Sequence, residues 1–182
     1  MFMRTERLFL RPVFEEDWRD VYREIADESI VRNLARAPWP YRQEDARDFC
    51  ARAARESVTR FAITLPTAKG APVIGMIGFE KLDGEGEELG YWIGRNWQRR
   101  GFATEAVRGV IAIAEALGTR SLEAGHFTDN PASGKVLRKA GFLPTGAVES
   151  MASAGRGGEK VPCRRFVLPL RDNASELRPA AA

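Results

Sequence analysis

A short basic segment in the middle of the chain carries the residues best suited to binding an anion. Residues 98–105 read Gln-Arg-Arg-Gly-Phe-Ala-Thr-Glu and lie between a predicted strand and a predicted helix. The first amide groups of a helix lack intrahelical acceptors, and the helix dipole places partial positive charge there. Gly101 and Ala103 let a ligand approach the backbone closely, and Arg99 and Arg100 add positive charge. The segment is therefore a candidate diphosphate site.

Two common phosphate-binding motifs do not match this segment. The Walker loop ends in Gly-Lys-Ser or Gly-Lys-Thr, and the dinucleotide-binding fingerprint has three glycines after a parallel strand. Neither pattern is present. The segment by itself fits an ordinary helix start equally well. The elements around it are therefore needed to distinguish a diphosphate site from an ordinary helix start.

Hydrophobic periodicity predicts mainly helices in the first third of the chain and mainly strands after it. A short strand at residues 8–12 precedes helices predicted at 15–26 and at about 43–56. Alternating apolar residues then predict strands at 61–65, 73–82 and 88–93, which form an antiparallel meander. The basic segment follows the last of these strands.

The second half of the predicted element order begins with a helix that carries an apolar stripe and ends near Gly118. A strand at 121–128, a short helix at 132–140 and a hairpin from residue 143, with its return strand at 161–168, complete the prediction. The hairpin connection at 153–158 is rich in glycine and serine, and we expect it to be mobile. The tail at 171–182 has no apolar period, and we expect it to be disordered.

Length and composition favour a single domain at residues 1–170. The chain has 182 residues, of which 44% are hydrophobic, enough for one core. No apolar stretch approaches the roughly 20 residues that cross a bilayer, and the N-terminus lacks the apolar run of a signal peptide. We therefore expect a cytoplasmic protein without a membrane partner.

Cysteine spacing and charge distribution exclude two further classes. Cys50 and Cys163 lie far apart and have no metal-ligand spacing, so we expect no metal site. The 28 lysines and arginines are interleaved with 25 aspartates and glutamates, which gives a formal net charge of only +3. We expect no nucleic-acid partner.

Four motifs in the correct order resemble the GNAT superfamily. Its phosphate-binding signature is Gln or Arg, two variable residues, Gly, one variable residue, then Gly or Ala, and Gln98, Gly101 and Ala103 fill it. Residues 88–93 (Glu-Leu-Gly-Tyr-Trp-Ile) look like the preceding family strand. Residues 129–133 and 136–142 are similar to its second cofactor-contacting segment. Residues 5–12 resemble the opening of the branch that includes the ribosomal-protein alanine N-acetyltransferases. The resemblance covers about residues 5–168.

This resemblance implies an α+β fold and an activity. The implied GNAT fold has a mixed, mostly antiparallel sheet of about six or seven strands, flanked by about four helices and splayed at the acetyl-CoA site. The implied enzyme is an N-acetyltransferase that moves an acetyl group from acetyl-CoA directly to a primary amine. The resemblance places these residues on the cofactor: Tyr91, Trp92, Ile93, Gln98, Arg99, Arg100, Gly101, Phe102, Ala103, Thr104, Asn130 and Ser133.

Direct transfer also needs a group that takes a proton from the amine. A lysine amine in water has a pKa of about 10.4 and is mostly protonated at neutral pH. Glu88 matches an acidic position that serves as the base in some family members. His126, the single histidine, is a second candidate, but strand alternation does not decide which way it points.

The departing CoA thiolate needs a hydrogen-bond donor. Many relatives place a tyrosine seven residues after the asparagine, but this chain has Leu137 there, which donates nothing. In the ribosomal-protein branch a serine three residues after the asparagine can reach the sulfur, and Ser133 occupies that position. Helix capping is the alternative role of Ser133. Asn130 either binds the cofactor arm or orders the turn.

The sequence does not identify the acceptor amine. A protein N-terminus needs an open groove, lined by Trp39, Tyr41 and the connection at 153–158, whereas a small amine needs that connection closed. A non-catalytic acyl-CoA sensor or scaffold is the alternative function. The missing tyrosine favours the sensor, while Glu88 and Ser133 count against it. A homodimer is also left open.

Overall fold

A single mixed sheet forms the centre of the protein. The computed structural model describes residues 1–56, 59–81 and 86–170. Within them, eight strands follow the order β1-β2-β3-β4-β5-β6-β8-β7. The strands are β1 (Met3–Arg4), β2 (Phe9–Pro12), β3 (Arg60–Thr64), β4 (Val73–Lys81), β5 (Glu87–Ile93), β6 (Ser121–Phe127), β7 (Leu143–Ser153) and β8 (Glu159–Pro169). The two-residue β1 accounts for the strand beyond the six or seven expected.

Five helices in the described residues flank this sheet. They are α1 (Trp18–Ile25), α2 (Glu28–Val31), α3 (Gln43–Glu56), α4 (Phe102–Ala116) and α5 (Pro131–Ala140). The helix predicted at 15–26 starts as a 3₁₀ turn, Glu15–Asp17. The short α2 adds one helix to the four expected, and its start is capped by the Asp27 side chain, which accepts from the Ser29 amide. The predicted α+β class is confirmed.

The sheet separates two apolar clusters. Helices α4 and α5 cover one face, where Val110 and Leu137 are fully buried together with Leu89 of β5. Helices α1, α2 and α3 cover the other face and pack against Ala62 and Met76. Because side chains alternate along a strand, neighbouring residues of β5 face different helix layers. The odd-numbered residues of β5 face α4 and α5, and the even-numbered residues face α1, α2 and α3.

The sheet opens between β5 and β6. These are the one parallel pair among the described strands, and they pair only over residues 87–89 and 122–124. Beyond this point, residues 90–93 of β5 and 125–127 of β6 do not pair with each other. The expected splay is thus confirmed. On the far side of β6, the return strand β8 lies between β6 and β7.

The expected tail at 171–182 lies outside the described residues, as do residues 82–85 of the turn before β5. The one-domain organisation over 1–170 stays a prediction. In the described part of the chain, no helix combines the length and apolar character needed to span a membrane.

Candidate active site

The basic segment forms the start of α4, as predicted. Strand β5 leads into it through the 3₁₀ turn Arg95–Trp97. Arg99 and Gly101 both have left-handed backbone conformations, with φ values of 61° and 83°. Helix α4 begins at Phe102, immediately after Gly101, so the amides of its first turn have no intrahelical acceptors. Arg99, Arg100 and Gly101 are exposed, and the segment therefore presents an accessible, positively charged helix start.

Two contacts hold the base of this segment to the rest of the fold. The Gln98 side chain donates from Nε2 to the carbonyl oxygen of Ile93, the last residue of β5, at 3.0 Å. The guanidinium of Arg100 lies over the Trp97 ring at 5.4 Å. Gln98 thus shapes the loop through its side chain, which ties the loop to the end of the strand.

The opening motif of the chain braces the same segment from outside. Arg7 donates from Nε to Glu105 Oε2 at 2.8 Å and from Nη1 to the carbonyl of Arg100 at 3.0 Å. Thr5 Oγ1 donates to Glu105 Oε1 at 2.6 Å. Burial raises the pKa of Glu105, but these hydrogen bonds outweigh it and lower the pKa below its usual value. Two motifs about a hundred residues apart therefore form one structural unit.

A cavity of about 1170 Å³ passes through the opening between β5 and β6. Tyr91 and Ser133 line it on the face of α4 and α5, while Glu88 and Gly90 line it on the opposite face. A Cβ atom added at Gly90 would meet no atom within 4 Å. The cavity is larger than the 300–1,000 Å³ typical of ligand pockets, so it has room for more than one ligand group.

The second predicted cofactor segment starts α5. Asn130 is the N-cap residue, and its Oδ1 accepts a hydrogen bond from the Ser133 amide at 3.4 Å. Pro131 at the first helical position and left-handed Gly141 after the last one fix the ends of α5. Asn130 therefore orders the turn, whereas capping is excluded as the role of the Ser133 side chain, which lies in the first turn of the helix.

The Ser133 hydroxyl contacts a residue that the sequence analysis treated only as backbone. Ser133 Oγ lies 2.8 Å from Tyr91 Oη, and either hydroxyl can donate. Tyr91 Oη also lies within donating distance of the Ser133 carbonyl, at 3.3 Å. Burial raises the pKa of Tyr91 to about 12, so Tyr91 stays a neutral phenol at physiological pH.

Glu88 belongs to a row of carboxylates on three neighbouring strands. It lies opposite Glu80 on one side and opposite Glu123 on the other. Like charges in directly opposite positions destabilise a sheet, so the row requires cations. Arg165, on the inserted strand β8, donates to Glu88 Oε1 at 2.5 Å and to Glu123 Oε2 at 3.2 Å. Burial lowers the pKa of Arg165, but the contact with Glu88 outweighs it and raises the pKa.

The other end of the row is neutralised separately. A hydrogen bond from Arg36 lowers the pKa of Glu80, and Arg60 pairs with the same carboxylate at 2.9 Å. Glu80 is therefore an ionised structural partner of two arginines. Glu88 is the one carboxylate of the row that both lines the cavity and lies on a strand bordering the opening.

His126 lies on the opposite face of the sheet from Glu88. Its ring packs 5.5 Å from that of Phe166, and its Nδ1 is 2.8 Å from the carbonyl of Phe127. A side chain at Gly134 of α5 would meet His126 Nε2 at 2.5 Å. The histidine ring thus faces α5, which settles the orientation that strand alternation left open, and it also lines the cavity, so it stays a second candidate for the base.

The hairpin connection predicted to be mobile is anchored across the cavity. Ser153 Oγ donates to the carbonyl of Leu34 at 2.9 Å, and the Ala154 amide donates to that of Ala35 at 2.8 Å. Arg156 forms two hydrogen bonds with Asp129, both at 2.9 Å, and these bonds lower the pKa of Asp129. We call residues 33–37 and 153–156 together the arch. Residues 153 and 154 are thus held to residues 34 and 35, and the mobility of the connection stays a prediction.

The structure gathers all but one of the predicted site residues around one cavity, the exception being Arg100. Glu88, Tyr91, Gln98, Gly101, Asn130 and Ser133 all line it. Sequence reasoning missed Arg165, the Tyr91 hydroxyl and the pairing of Arg7 with Glu105. No local signal marks Arg165, since its contact with Glu88 depends on β8 inserting between β6 and β7.

A splayed mixed sheet with an exposed helix start beside the opening is the arrangement that the resemblance to the GNAT superfamily implies. The family model "Acetyltransferase (GNAT) domain" matches residues 7–143, and the chain belongs to this family. It is an acetyl-CoA-dependent N-acetyltransferase.

Two curated bacterial proteins are similar in sequence. The uncharacterized N-acetyltransferase p20 of Bacillus licheniformis is 29% identical over 177 residues, which cover 93% of this chain and 97% of that protein. The uncharacterized N-acetyltransferase YoaA of Bacillus subtilis is 28% identical over 152 residues, which cover 80% and 85%. Both span most of the fold described above.

Solved structures share the fold at lower identity. A GNAT-family acetyltransferase from Bacillus anthracis superposes with a TM-score of 0.80 at 22% identity, covering 93% of this chain and 98% of that one. An acetyltransferase from Salmonella typhimurium, which modifies the N-terminal serine of ribosomal protein L7/L12, gives a TM-score of 0.71 at 15% identity, with coverage of 94% and 100%.

Proposed function

We propose that acetyl-CoA enters the cavity from the face of α4 and α5, and that a small primary amine enters from the opposite face. The observation that carries this proposal is the end of β5–β6 pairing at Leu89, which leaves a passage through the sheet. The two faces of the passage carry different groups. Hydroxyls lie on the first face, and the carboxylate row lies on the second.

The diphosphate of acetyl-CoA is proposed to bind at the start of α4. Exposed amides and the helix dipole favour an anion there without further reorganisation of the loop. Gln98 shapes this site. The other residues proposed to surround the diphosphate are Arg99, Arg100, Gly101, Phe102, Ala103 and Thr104.

The pantetheine arm is proposed to follow the free edge of β5. Residues 91–93 pair with β4 on one side, but on the side of β6 they have no strand partner. The arm carries amides, and the backbone of Tyr91, Trp92 and Ile93 offers it matching donors and acceptors. Asn130 lies across the opening, and its cap uses only the amide oxygen, which leaves the amide nitrogen to donate to the arm.

Transfer then requires one bond to form and one to break. The amine nitrogen attacks the carbonyl carbon of the thioester, and the carbon–sulfur bond breaks to release the thiolate. We propose that Glu88 takes the proton of the attacking amine, directly or through water, while Arg165 fixes the position of its carboxylate. We propose that the Ser133 hydroxyl donates a hydrogen bond to the departing sulfur.

Replacing Glu88 with glutamine is expected to lower kcat about tenfold at neutral pH, because solvent water is then the proton acceptor. The loss should shrink as the pH rises toward the pKa of the amine, since a larger fraction of the acceptor is already neutral. Steady-state rates from about pH 6 to about pH 10 measure this.

Glu149→Gln is the matched control. It removes another carboxylate that contacts Arg165, at 3.5 Å, but Glu149 is largely exposed. Its pH profile should match that of the unmodified protein. A Glu88→Gln profile with the same shape as the unmodified protein would remove Glu88 from the proton transfer.

The arch supports a small amine as the acceptor. Leu34 and Ala35, whose carbonyls hold the hairpin connection, also line the cavity. Gly155 packs so closely against Val31 that a side chain would meet the Val31 carbonyl oxygen. The wall on this side is thus held by close packing and hydrogen bonds, which favours a small amine over a folded protein surface as the acceptor.

A peptide N-terminus is the second candidate acceptor. The Salmonella neighbour modifies the N-terminal serine of a ribosomal protein, and it shares this fold. An extended peptide N-terminus is narrow enough to enter the cavity end first. The ratio of kcat/KM for free amines to that for short peptides separates the two candidates, and a ratio below one would favour the peptide.

Gly90→Val is expected to raise the KM for the amine about tenfold, because it adds three carbons where the cavity now has free space. The Cβ atom meets no protein atom within 4 Å, and valine suits a strand, so the free energy of unfolding should change little. Steady-state kinetics and thermal unfolding check both parts. An unchanged KM for every amine tested would place the acceptor elsewhere.

The experiment that tests the function is incubation with acetyl-CoA and a panel of amines and short peptides, with free thiol as the readout. Amine-dependent thiol release and an acetylated product are expected. CoA binding without release above the background rate would instead favour the sensor or scaffold.

Location and assembly are further parts of the proposal. We propose a cytoplasmic protein with one domain over residues 1–170. A homodimer stays a prediction, and light scattering at several concentrations tests it.

A further inference from the structure

The contact between Tyr91 and Ser133 lies at the opening in the sheet. Tyr91 is on the last half of β5, beyond the point where β5 leaves β6, and Ser133 is in the first turn of α5. Their hydroxyl oxygens are 2.8 Å apart. Both residues line the cavity, so the pair borders the space proposed for the thioester.

The hydroxyl protons of this pair have two arrangements. In the first, Tyr91 donates to the Ser133 carbonyl, and Ser133 donates its proton to Tyr91 Oη. In the second, Tyr91 donates to Ser133 Oγ, and the Ser133 proton is free to point into the cavity. A hydroxyl has only one proton, so only the second arrangement lets Ser133 donate to a ligand.

We propose that Tyr91 is a positioning residue that donates to Ser133 Oγ and thereby directs the Ser133 proton at the departing sulfur. The inference rests on the proposed role of Ser133. The negative charge that develops on sulfur during bond cleavage selects the second arrangement, because it attracts the free proton. No proton leaves Tyr91, and the thiolate takes its proton from solvent after release.

Two observations support Tyr91 in this role. Both oxygens to which the phenol can donate belong to Ser133, Oγ at 2.8 Å and the carbonyl at 3.3 Å, so Tyr91 is held against the first turn of α5. Burial keeps Tyr91 a neutral phenol, with a pKa raised to about 12, so it retains its donor throughout the working pH range. A charged tyrosinate would accept the Ser133 proton and disable it.

The test is a double-mutant cycle with Tyr91→Phe and Ser133→Ala, measured by single-turnover transfer with saturating acetyl-CoA. Tyr91→Phe alone is expected to slow transfer about fivefold, since Ser133 keeps its hydroxyl but loses its orientation. In the Ser133→Ala background the same change should have almost no effect, because there is no hydroxyl left to orient. The affinity for acetyl-CoA should be unchanged throughout.

A purely structural role for Tyr91 gives a different result. Tyr91→Phe would then slow transfer by the same factor in both backgrounds, and this outcome would overturn the proposal. Tyr22→Phe removes a phenol hydroxyl from α1, outside the cavity, and controls for the general effect of the change. The unmodified protein is measured in the same assay. If it transfers the acetyl group, a failed cycle counts against the role of Tyr91 alone; if it does not, the proposed function itself fails.

Discussion

Replacing Ser133 with alanine is expected to lower kcat about 100-fold while leaving the affinity for acetyl-CoA within about twofold of its original value. The hydroxyl is proposed to act only on charge that develops as the carbon–sulfur bond breaks. An interaction made only in the transition state lowers kcat when it is lost, without a matching change in ground-state binding. Stopped-flow transfer rates and calorimetry with acetyl-CoA measure the two quantities.

The fold should tolerate this substitution. Alanine is a strong helix former, and the amide that Asn130 caps belongs to the backbone and is retained. Tyr91 can still donate to the carbonyl of residue 133. Thermal unfolding should therefore shift little. An unchanged kcat with a true acceptor would rule out Ser133 as the donor to sulfur.

Replacing Gly101 with alanine is expected to weaken acetyl-CoA binding roughly 30-fold, which corresponds to about 2 kcal/mol. Gly101 has a φ of 83° immediately before α4, and alanine at such a position costs about 1–2 kcal/mol. The added methyl group would also lie 3.3 Å from Arg7 Nη2, so the arginine that braces the diphosphate segment would have to shift slightly. Calorimetry with acetyl-CoA and chemical unfolding measure both effects.

Gly118→Ala is the control for backbone strain. Gly118 follows the other end of α4, has a φ of 76°, and has no atom within 4 Å of an added methyl group. This variant should lose a similar amount of stability but bind acetyl-CoA normally. Equal loss of affinity in both variants would mean that Gly101 acts through stability alone.

The order of elements and the diphosphate segment were predictable because they depend on local sequence. The apolar stripe of α4 fixes where that helix lies, and a glycine before it marks a backbone reversal. The predicted bounds of α3, at about 43–56, agree with the helix in the structure. Features determined by neighbours in sequence were thus predicted within a few residues.

The contacts that set the chemistry depend on neighbours in space. Arg165 reaches Glu88 only because β8 inserts between β6 and β7, and hydrophobic alternation carries no information on strand order. Hydrophobic alternation also did not determine which face of the sheet His126 lies on, and this became known only from its packing against Phe166. The arch joins segments more than a hundred residues apart, so its hydrogen bonds were not predictable from the glycine- and serine-rich connection.

The distribution of charge links these features to function. The carboxylate row costs stability wherever like charges face each other, and three arginines offset that cost. One of its members lies at the opening of the sheet, where an amine is proposed to lose its proton. The arginine that holds this carboxylate is itself buried, so the carboxylate has little freedom to move.

Isothermal titration of the folded protein with acetyl-CoA tests the central proposal most directly, since every proposed step requires the donor at the opening between β5 and β6. Saturable binding at one site per chain is expected, with unchanged affinity in Ser133→Ala and reduced affinity in Gly101→Ala. The absence of binding heat at several temperatures, from protein with a cooperative unfolding transition, would contradict it.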